Sequence, residues 1–186
     1  MKTLILTILL LVPVLASGQE TRDTTINPRI LNRIETRSKE FEGEKCPEFV
    51  IKKADSTIFS NANFKGKVVF INIWYEKCPP CIAEIEGLKK LYASLRNNSN
   101  FLFISFTFEP DQTIEKFIKK YNLNYKILHL DQKDCVRLNY GYGFPTNIIL
   151  DKNGIIKFFM LGGIENPEIA TKLIMTEIYP RIKNLL

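Results

Sequence analysis

The chain contains 186 residues, 45% of them hydrophobic, and its 26 basic and 20 acidic side chains give a formal net charge of +6. This length predicts one domain with a sizeable hydrophobic core rather than several domains. Because basic and acidic residues are interspersed, as at Glu115 and Lys116, the charge indicates a solvated surface rather than a nucleic-acid-binding face, and it leaves an anionic membrane surface open.

The first 18 residues have the pattern of a secretory signal peptide. Lys2 is followed by an apolar run over residues 4–15 and then by the small residues 16–18, which predicts cleavage before Gln19. A membrane anchor is the alternative, but an apolar run of about a dozen residues is short for spanning a bilayer. We therefore expect an exported protein, and export agrees with the presence of paired cysteines because disulfides persist outside the cytoplasm.

Residues 19–40 are polar and charged, and we expect a mobile or loosely docked extension with a short helix that begins near Pro28. Residues 41–186 are predicted to form the folded domain. Two short strands near its start, Glu48–Ile51 and Thr57–Phe59, are expected to pair as an N-terminal β-hairpin.

Beyond the hairpin, apolar runs alternate with segments of helical periodicity. A strand over residues 68–74 precedes a helix whose apolar stripe includes Leu88, Leu91 and Leu95. The remaining predicted elements are a strand at 101–108, a helix from 110, an edge strand at 125–130, a short helix at 133–140, a hairpin of strands 146–150 and 155–160, and a final helix from 167. This order predicts an α/β fold, with a central mixed sheet and helices on both of its faces.

A Cys-Pro-Pro-Cys motif, Cys78 to Cys81, lies where the strand over 68–74 ends and the next helix begins. The free N–H groups and the positive dipole end of a helix start stabilise a thiolate, which is the nucleophilic form of cysteine. Proline is tolerated in the first helical turn because its missing N–H would have no partner there. The pattern therefore favours thiol–disulfide exchange by this cysteine pair.

The same motif also occurs in zinc sites and as a structural disulfide. Zinc needs two further ligands, and the candidates Cys46, Cys135 and His129 form no second close pair in the sequence. A structural disulfide that closes so short a loop would add little stability. We therefore expect no metal site and interpret His129 as an ordinary strand-end residue. Cys46 and Cys135 form either a second disulfide or two buried free thiols.

Glu84 lies on the apolar side of the helix that follows the motif, in line with Leu88 and Leu91, whereas Glu86 lies on the polar side. A carboxyl group buried among apolar residues has a raised pKa, so Glu84 is a candidate for exchanging a proton with Cys81. The alternative is an exposed acid that interacts favourably with the positive end of the helix dipole.

Three stretches of the sequence, at residues 44–49, 64–81 and 144–154, carry a resemblance to a known family. They hold a Cys-Pro-Glu-Phe segment, an apolar strand that leads into Cys-Pro-Pro-Cys, and a Phe-Pro-Thr segment that opens a hairpin strand. The chain resembles the extracytoplasmic thioredoxin-like family of TlpA and ResA type, and the resemblance covers residues 41–186.

The resemblance implies a thioredoxin fold whose redox group is the Cys78–Cys81 disulfide, with no other cofactor. It implies that Cys78 is the attacking and more exposed thiolate and that Cys81 is the resolving thiol. It also implies a cis peptide bond between Phe144 and Pro145, placed against the cysteines. Glu84 matches the acidic residue that ResA-like proteins carry three positions after the second cysteine.

Four further residues are assigned to the substrate groove or to tuning of the thiols: Trp74, Lys77, Phe144 and Thr146. Lys77 departs from the family, which has tryptophan directly before the first cysteine. A lysine favours the Cys78 thiolate electrostatically, but it takes away an aromatic recognition surface. The loop over residues 140–145 is also one residue shorter than the family's usual approach to the proline.

The resulting hypothesis is a monomeric thiol–disulfide oxidoreductase of the bacterial periplasm or cell envelope, acting as a reductase. Its expected partners are cysteine-containing exported proteins, for cytochrome c maturation or general thiol maintenance, and an envelope thiol donor. One alternative is a peroxiredoxin-like peroxidase, but those enzymes have a Thr-x-x pattern before the reactive cysteine. Another is a copper-delivery module, although such modules favour Cys-x₃-Cys with a distal histidine.

Overall fold

The structure is a computed structural model that describes residues 25–52 and 56–186. Its strands are β1 (Val50–Lys52), β2 (Ile58–Ser60), β3 (Val68–Trp74), β4 (Phe101–Thr107), β5 (Lys126–His129), β6 (Thr146–Leu150) and β7 (Ile156–Leu161). Its α-helices are α1 (Pro28–Lys39), α2 (Pro79–Ala83), α3 (Ile85–Leu95), α4 (Asp111–Tyr121), α5 (Gln132–Leu138), α6 (Pro167–Leu173) and α7 (Tyr179–Leu185). The predicted signal peptide lies outside the described residues.

The central sheet has the strand order β5–β4–β3–β6–β7. β3 lies in the middle, parallel to β4 and antiparallel to β6, and all seven of its residues are buried. Burial on both faces explains why this strand is nearly continuous in apolar residues. β1 and β2 form a separate antiparallel pair, which is the predicted N-terminal hairpin. The predicted fold class, a mixed sheet with an added hairpin, is confirmed.

Successive residues of β3 face two different hydrophobic clusters, as the two-residue period of a strand requires. Val68 and Phe70 pack with residues of α3, α4, α6 and α7. Val69 and Ile71 pack with residues of α5 and of the N-terminal hairpin. The helices therefore cover both faces of the sheet, and the carboxyl end of β3 leads directly to the Cys-Pro-Pro-Cys motif.

The helix α1 is docked on the domain, which corrects the expectation of a mobile or loosely docked extension for the described part of residues 19–40. Asn27 caps its start by accepting a hydrogen bond from the Arg29 N–H, with Pro28 in the first turn. Ile34 and Ser38 are buried against the sheet. The sequence did not indicate that the helix is docked, because most of its residues are polar and its apolar stripe is narrow.

The outer edge of β7 is covered by residues on either side of residue 41, where the folded domain was predicted to begin. The Phe159 N–H donates to Ser38 Oγ at 3.0 Å. Gly43 N–H donates to the Ile156 carbonyl at 2.9 Å, and Ile156 N–H donates to the Glu44 carbonyl at 2.8 Å. Several edge groups of β7 therefore have partners within the chain. Across the described ranges, no helix has the length and apolar character needed to cross a membrane.

Candidate active site

Cys78 and Cys81 form a disulfide at the point where β3 gives way to α2. Cys78 is the N-cap residue of α2, and the Cys81 N–H donates to Cys78 Sγ at 3.3 Å. Pro79 and Pro80 have no N–H to offer, so Cys81 supplies the first backbone donor of the helix. This donor and the helix dipole would stabilise a thiolate at Cys78 after reduction.

Both sulfur-bearing residues are buried in the disulfide form, with 1% of Cys78 and 5% of Cys81 exposed. Cys78 is therefore not more exposed than Cys81 in the disulfide, whereas the expectation of greater exposure concerned the Cys78 thiolate. The physical reason is that both side chains belong to the hydrophobic cluster that also holds Trp74 and Ile85. The assignment of Cys78 as the attacking residue concerns the reduced form and stays a prediction.

The Phe144–Pro145 peptide bond is cis, as the resemblance implied. Pro145 lies beside the motif, and both approach Gly163 in the segment after β7. A Cβ atom added at Gly163 would lie 3.0 Å from Pro145 Cγ, 3.0 Å from Pro80 Cβ and 3.2 Å from Glu84 Oε1. The proline, the motif and the Glu84 carboxyl group therefore meet at one point, where a side chain larger than glycine has no room.

Glu84 is buried, with 1% of the residue exposed, at the junction of α2 and α3. Asn147 Nδ2 donates to both of its carboxyl oxygens, at 3.2 and 3.1 Å. Burial raises the pKa of Glu84 to about 8, while the hydrogen bond from Asn147 acts in the opposite direction. The predicted burial is confirmed, and the alternative of an exposed acid is wrong. Glu86, by contrast, is exposed.

Asn147 is hydrogen-bonded to Asn72, and Asn72 to Ser105. The sequence analysis did not identify these buried polar residues. Asn72 Nδ2 donates to Asn147 Oδ1 at 2.9 Å, and Ser105 Oγ donates to Asn72 Oδ1 at 3.1 Å. A signal for them was present, since each is a polar residue within a strand of otherwise mostly apolar residues. Their partners depend on strand register, which the sequence pattern does not specify.

A sequence profile of the redoxin family matches residues 41–173. The chain belongs to the redoxin family. It is 30% identical over 132 residues to the thiol-disulfide oxidoreductase ResA of Geobacillus thermodenitrificans, covering 70% of this chain and 75% of that protein. It is 29% identical over 135 residues to the thioredoxin-like protein YneN of Bacillus subtilis, covering 71% of this chain and 78% of that one.

Solved structures give the same fold. A thiol:disulfide interchange protein of the thioredoxin family from Chlorobium tepidum superposes with a TM-score of 0.58 at 21% identity, over 76% of this chain and 94% of that chain. The predicted resemblance to the ResA type is confirmed, and this redoxin is a thioredoxin-like thiol–disulfide oxidoreductase.

An aromatic cluster of the redoxin lies beside the cis proline. The Tyr75 and Phe108 rings stack with centroids 6.1 Å apart, and Phe144 meets them edge-on at 5.4 and 5.7 Å respectively. All three residues are half-buried, whereas Lys77 is exposed. The sequence analysis assigned Phe144 to the groove but missed Tyr75 and Phe108. The structure therefore offers aromatic surface here although Lys77 replaces the family's tryptophan.

Two of the residues assigned to the groove have interior positions instead. Trp74 is buried and stacks on Phe117 with ring centroids 4.2 Å apart. Thr146 is fully buried, and its Oγ1 donates to the Gly143 carbonyl at 2.7 Å. Because β3 and β6 are covered on both faces, neither side chain is placed for direct substrate contact, and tuning of the thiols by these residues stays a prediction. Trp74 does share the lining of a small cavity with Cys81, so it adjoins the site from within.

Cys46 and Cys135 are free, buried thiols, so the second disulfide is not formed and the alternative of two buried thiols holds. Cys135 Sγ donates to the Leu130 carbonyl at 3.4 Å, and Cys46 Sγ lies 3.6 Å from the Pro47 carbonyl. Burial raises the pKa of each thiol to about 12. At neutral pH both are therefore protonated and poor nucleophiles.

His129 lies at the end of β5 and is exposed. Its Nδ1 is 2.9 Å from the Glu109 carbonyl oxygen, and its Nε2 is 3.7 Å from Asp131 Oδ1. These contacts are those of a strand-end residue, as expected. Within the part of the chain that the structure describes, no group of three or more potential ligands is arranged to hold a metal ion.

Proposed function

We propose that this redoxin reduces disulfide bonds in exported proteins through Cys78 and Cys81. The observation that carries the proposal is the position of Glu84, a buried carboxyl group three residues after Cys81 with a pKa raised to about 8 by burial. Residues three apart on a helix are neighbours. An acid whose pKa lies close to the working pH can both take up and release a proton during exchange.

The proposed reaction consists of two successive thiol–disulfide exchange steps. First, the Cys78 thiolate attacks one sulfur of a substrate disulfide, forming a mixed disulfide and releasing the other substrate sulfur as a thiolate. Cys81 then gives its proton to the Glu84 carboxylate and attacks Cys78 Sγ. The Cys78–Cys81 disulfide closes and the second substrate thiolate leaves. The substrate gains two electrons, the cysteine pair loses two, and Glu84 passes its proton on to the departing thiolate or to water.

The proposed setting is the bacterial periplasm or cell envelope. The signal-like residues 1–18 and the resemblance to the ResA type support this location. The proposed partners are cysteine-containing proteins of that compartment, including those of cytochrome c maturation, and an envelope thiol donor that reduces the Cys78–Cys81 disulfide again. The redoxin acts as a monomer in this scheme.

A trapping experiment tests the order of the two cysteines. We expect Cys81→Ser to accumulate a mixed disulfide with a reducible substrate such as insulin, because the resolving thiol is missing. Cys78→Ser, which has the same change in composition, should accumulate none. Trapping by the Cys78→Ser variant, or alkylation of the reduced protein first at Cys81, would reverse the assignment.

The reduction potential tests the direction of exchange. Equilibration of the Cys78–Cys81 pair in glutathione buffers should give a potential near that of thioredoxin, about −270 mV, if the redoxin is a reductase. A value near about −120 mV, as in the strong oxidant DsbA, would contradict that direction. Parallel assays of peroxide consumption and copper binding test the peroxidase and copper-delivery alternatives.

A further inference from the structure

Asn147, Asn72 and Ser105 form one row across three neighbouring strands of the central sheet. In the strand register Asn72 pairs directly with Asn147 on β6 and with Ser105 on β4. All three are buried, with at most 2% of any residue exposed. The row ends at Glu84, to which Asn147 donates at 3.2 and 3.1 Å.

The hydrogen bonds of this row all point the same way. Ser105 Oγ donates to Asn72 Oδ1, Asn72 Nδ2 donates to Asn147 Oδ1, and Asn147 Nδ2 donates to the Glu84 carboxyl group. Each donor therefore presents the positive end of its dipole towards Glu84. Hydrogen bonds in such a row polarise one another in a low dielectric, so Ser105 at the far end contributes to the environment of a carboxyl group that it does not touch.

Burying these polar side chains costs folding free energy at positions that apolar residues could occupy. Buried polar groups destabilise a fold unless each has a partner, and in the described part of the chain no buried side-chain nitrogen or oxygen lacks one. Each member of the row is hydrogen-bonded to the next, and the last donor, Asn147, needs Glu84 as its acceptor. The row and the carboxyl group therefore form one hydrogen-bonded unit. A Cβ added at Gly163 would lie 3.2 Å from Glu84 Oε1 and 3.0 Å from Cβ of Pro80, which belongs to the Cys-Pro-Pro-Cys motif, so the unit adjoins the motif.

We propose that Asn147, Asn72 and Ser105 are positioning residues that hold the Glu84 carboxyl group beside Cys81 and favour its ionised form. This inference rests on the proposed role of Glu84 in proton exchange. It assigns to residues on three strands the part of the control over Glu84's proton affinity that opposes burial.

Among the described residues, the titratable groups to consider around Glu84 come from the motif, from α3 and from the segment before β5. The motif contributes Cys78 and Cys81, and α3 contributes Glu86, which is exposed. Tyr125, buried in the segment before β5, interacts electrostatically with Glu84, and burial followed by that charge raises the pKa of its hydroxyl. Tyr125 is therefore neutral through the range in which Glu84 titrates. Measuring Glu84 in the disulfide form also removes both thiols from the titration.

The test is a carbon NMR titration of the Glu84 carboxyl group in the oxidised protein, in variants of the row. Losing a hydrogen bond to a charged group is expected to raise the Glu84 midpoint in Asn147→Leu by about 1–2 pH units. Ser105→Ala should raise it in the same direction by a few tenths of a unit. Ser38→Ala is the matched control, since Ser38 is a buried serine of α1 that accepts the Phe159 N–H at the outer edge of β7, and it should leave the midpoint unchanged.

Asn147→Leu leaves the Asn72 amide without its acceptor and can fail to fold. The variant Asn72→Leu/Ser105→Ala/Asn147→Leu removes the whole row, so it leaves neither the Asn72 amide nor the Ser105 hydroxyl without a partner. It should show the same upward shift. An unchanged Glu84 midpoint in a folded variant of either kind, or an equal shift in Ser38→Ala, would overturn the proposal.

Exchange kinetics separate this inference from the proposed function. The pH–rate profile of Asn147→Leu should move with the Glu84 midpoint, and Asn147→Leu should have no further effect on that profile when Glu84→Gln is already present. If the wild-type protein reduces no disulfide, the proposed function fails while the NMR titration still decides whether the row acts on Glu84. If the midpoint shifts but the pH–rate profile does not, the row acts on Glu84 without bearing on exchange, and the positioning role is refuted.

Discussion

Replacing Glu84 with glutamine should make the protein's stability less dependent on pH. Burial raises the pKa of Glu84 from 4.5 to about 8 in the folded state, so the folded protein binds this proton more tightly than the unfolded chain. The stabilisation is therefore fully present below about pH 4.5 and is lost as the pH rises to about 8. A difference of about 3.5 pKa units corresponds to a loss of about 5 kcal/mol in the free energy of unfolding.

Chemical denaturation of the oxidised protein at a series of pH values from about 4 to 9 measures this effect. The disulfide stays closed throughout, so neither active-site thiol contributes. Wild type should lose several kcal/mol between about pH 4.5 and 8 relative to Glu84→Gln, and the difference should be constant above about pH 8. Glu86→Gln makes the same chemical change at an exposed position two residues away and should follow the wild-type curve.

Parallel stability curves for wild type and Glu84→Gln would refute the reasoning. They would mean that Glu84 has the same proton affinity in the folded and unfolded states, and therefore that burial does not act on it. The proposed proton exchange with Cys81 would then lose its physical basis.

Two further predictions concern other parts of the chain. With the active-site disulfide kept intact under non-reducing conditions, a thiol reagent should react with two thiols in the denatured protein, those of Cys46 and Cys135. It should react with almost none in the folded protein, because both are buried. Finding none in denaturant would show that the two are bonded. Gly163→Ala places a Cβ 3.0 Å from Pro145 Cγ and should cost about 1–3 kcal/mol and slow insulin reduction. Gly87→Ala, within α3, places a Cβ at the same 3.0 Å from Ile174 and from the Thr171 backbone, so it should lose similar stability while keeping the rate. Equal rates for the two variants would contradict the reasoning.

Local patterns predicted much of this structure because they depend on residues close together in the chain. The apolar run over residues 68–74 predicted the strand β3, which the structure places over the same residues. The Asn-Gly turn predicted the hairpin of β6 and β7, and Gly154 does adopt φ of 77° there. Glu84 was correctly placed among buried residues because helical periodicity fixes which side of a helix a residue occupies.

The features that the sequence did not predict depend on contacts between distant segments. Asn72 was visible as a polar residue in an apolar strand, but its partners Ser105 and Asn147 lie 33 and 75 residues away. The burial of Cys78 in the disulfide was not predicted because it depends on how the closed disulfide packs against the core. Trp74 was assigned to the groove or to tuning of the thiols, and β3 directs it into the interior, where it lines a small cavity with Cys81.

The helix α1 has a consequence for how the protein can be shortened. The family match begins at residue 41, which makes Phe41 an attractive first residue for a minimal domain. Such a fragment would keep the pairing of Gly43 and Glu44 with Ile156, but it would leave the Phe159 N–H without Ser38 and uncover the apolar surface beneath α1. An open, apolar strand edge is a template for pairing with another molecule. The 12-residue helix thus protects the domain from self-association, and fragments that lack it should aggregate at concentrations that the longer chain tolerates.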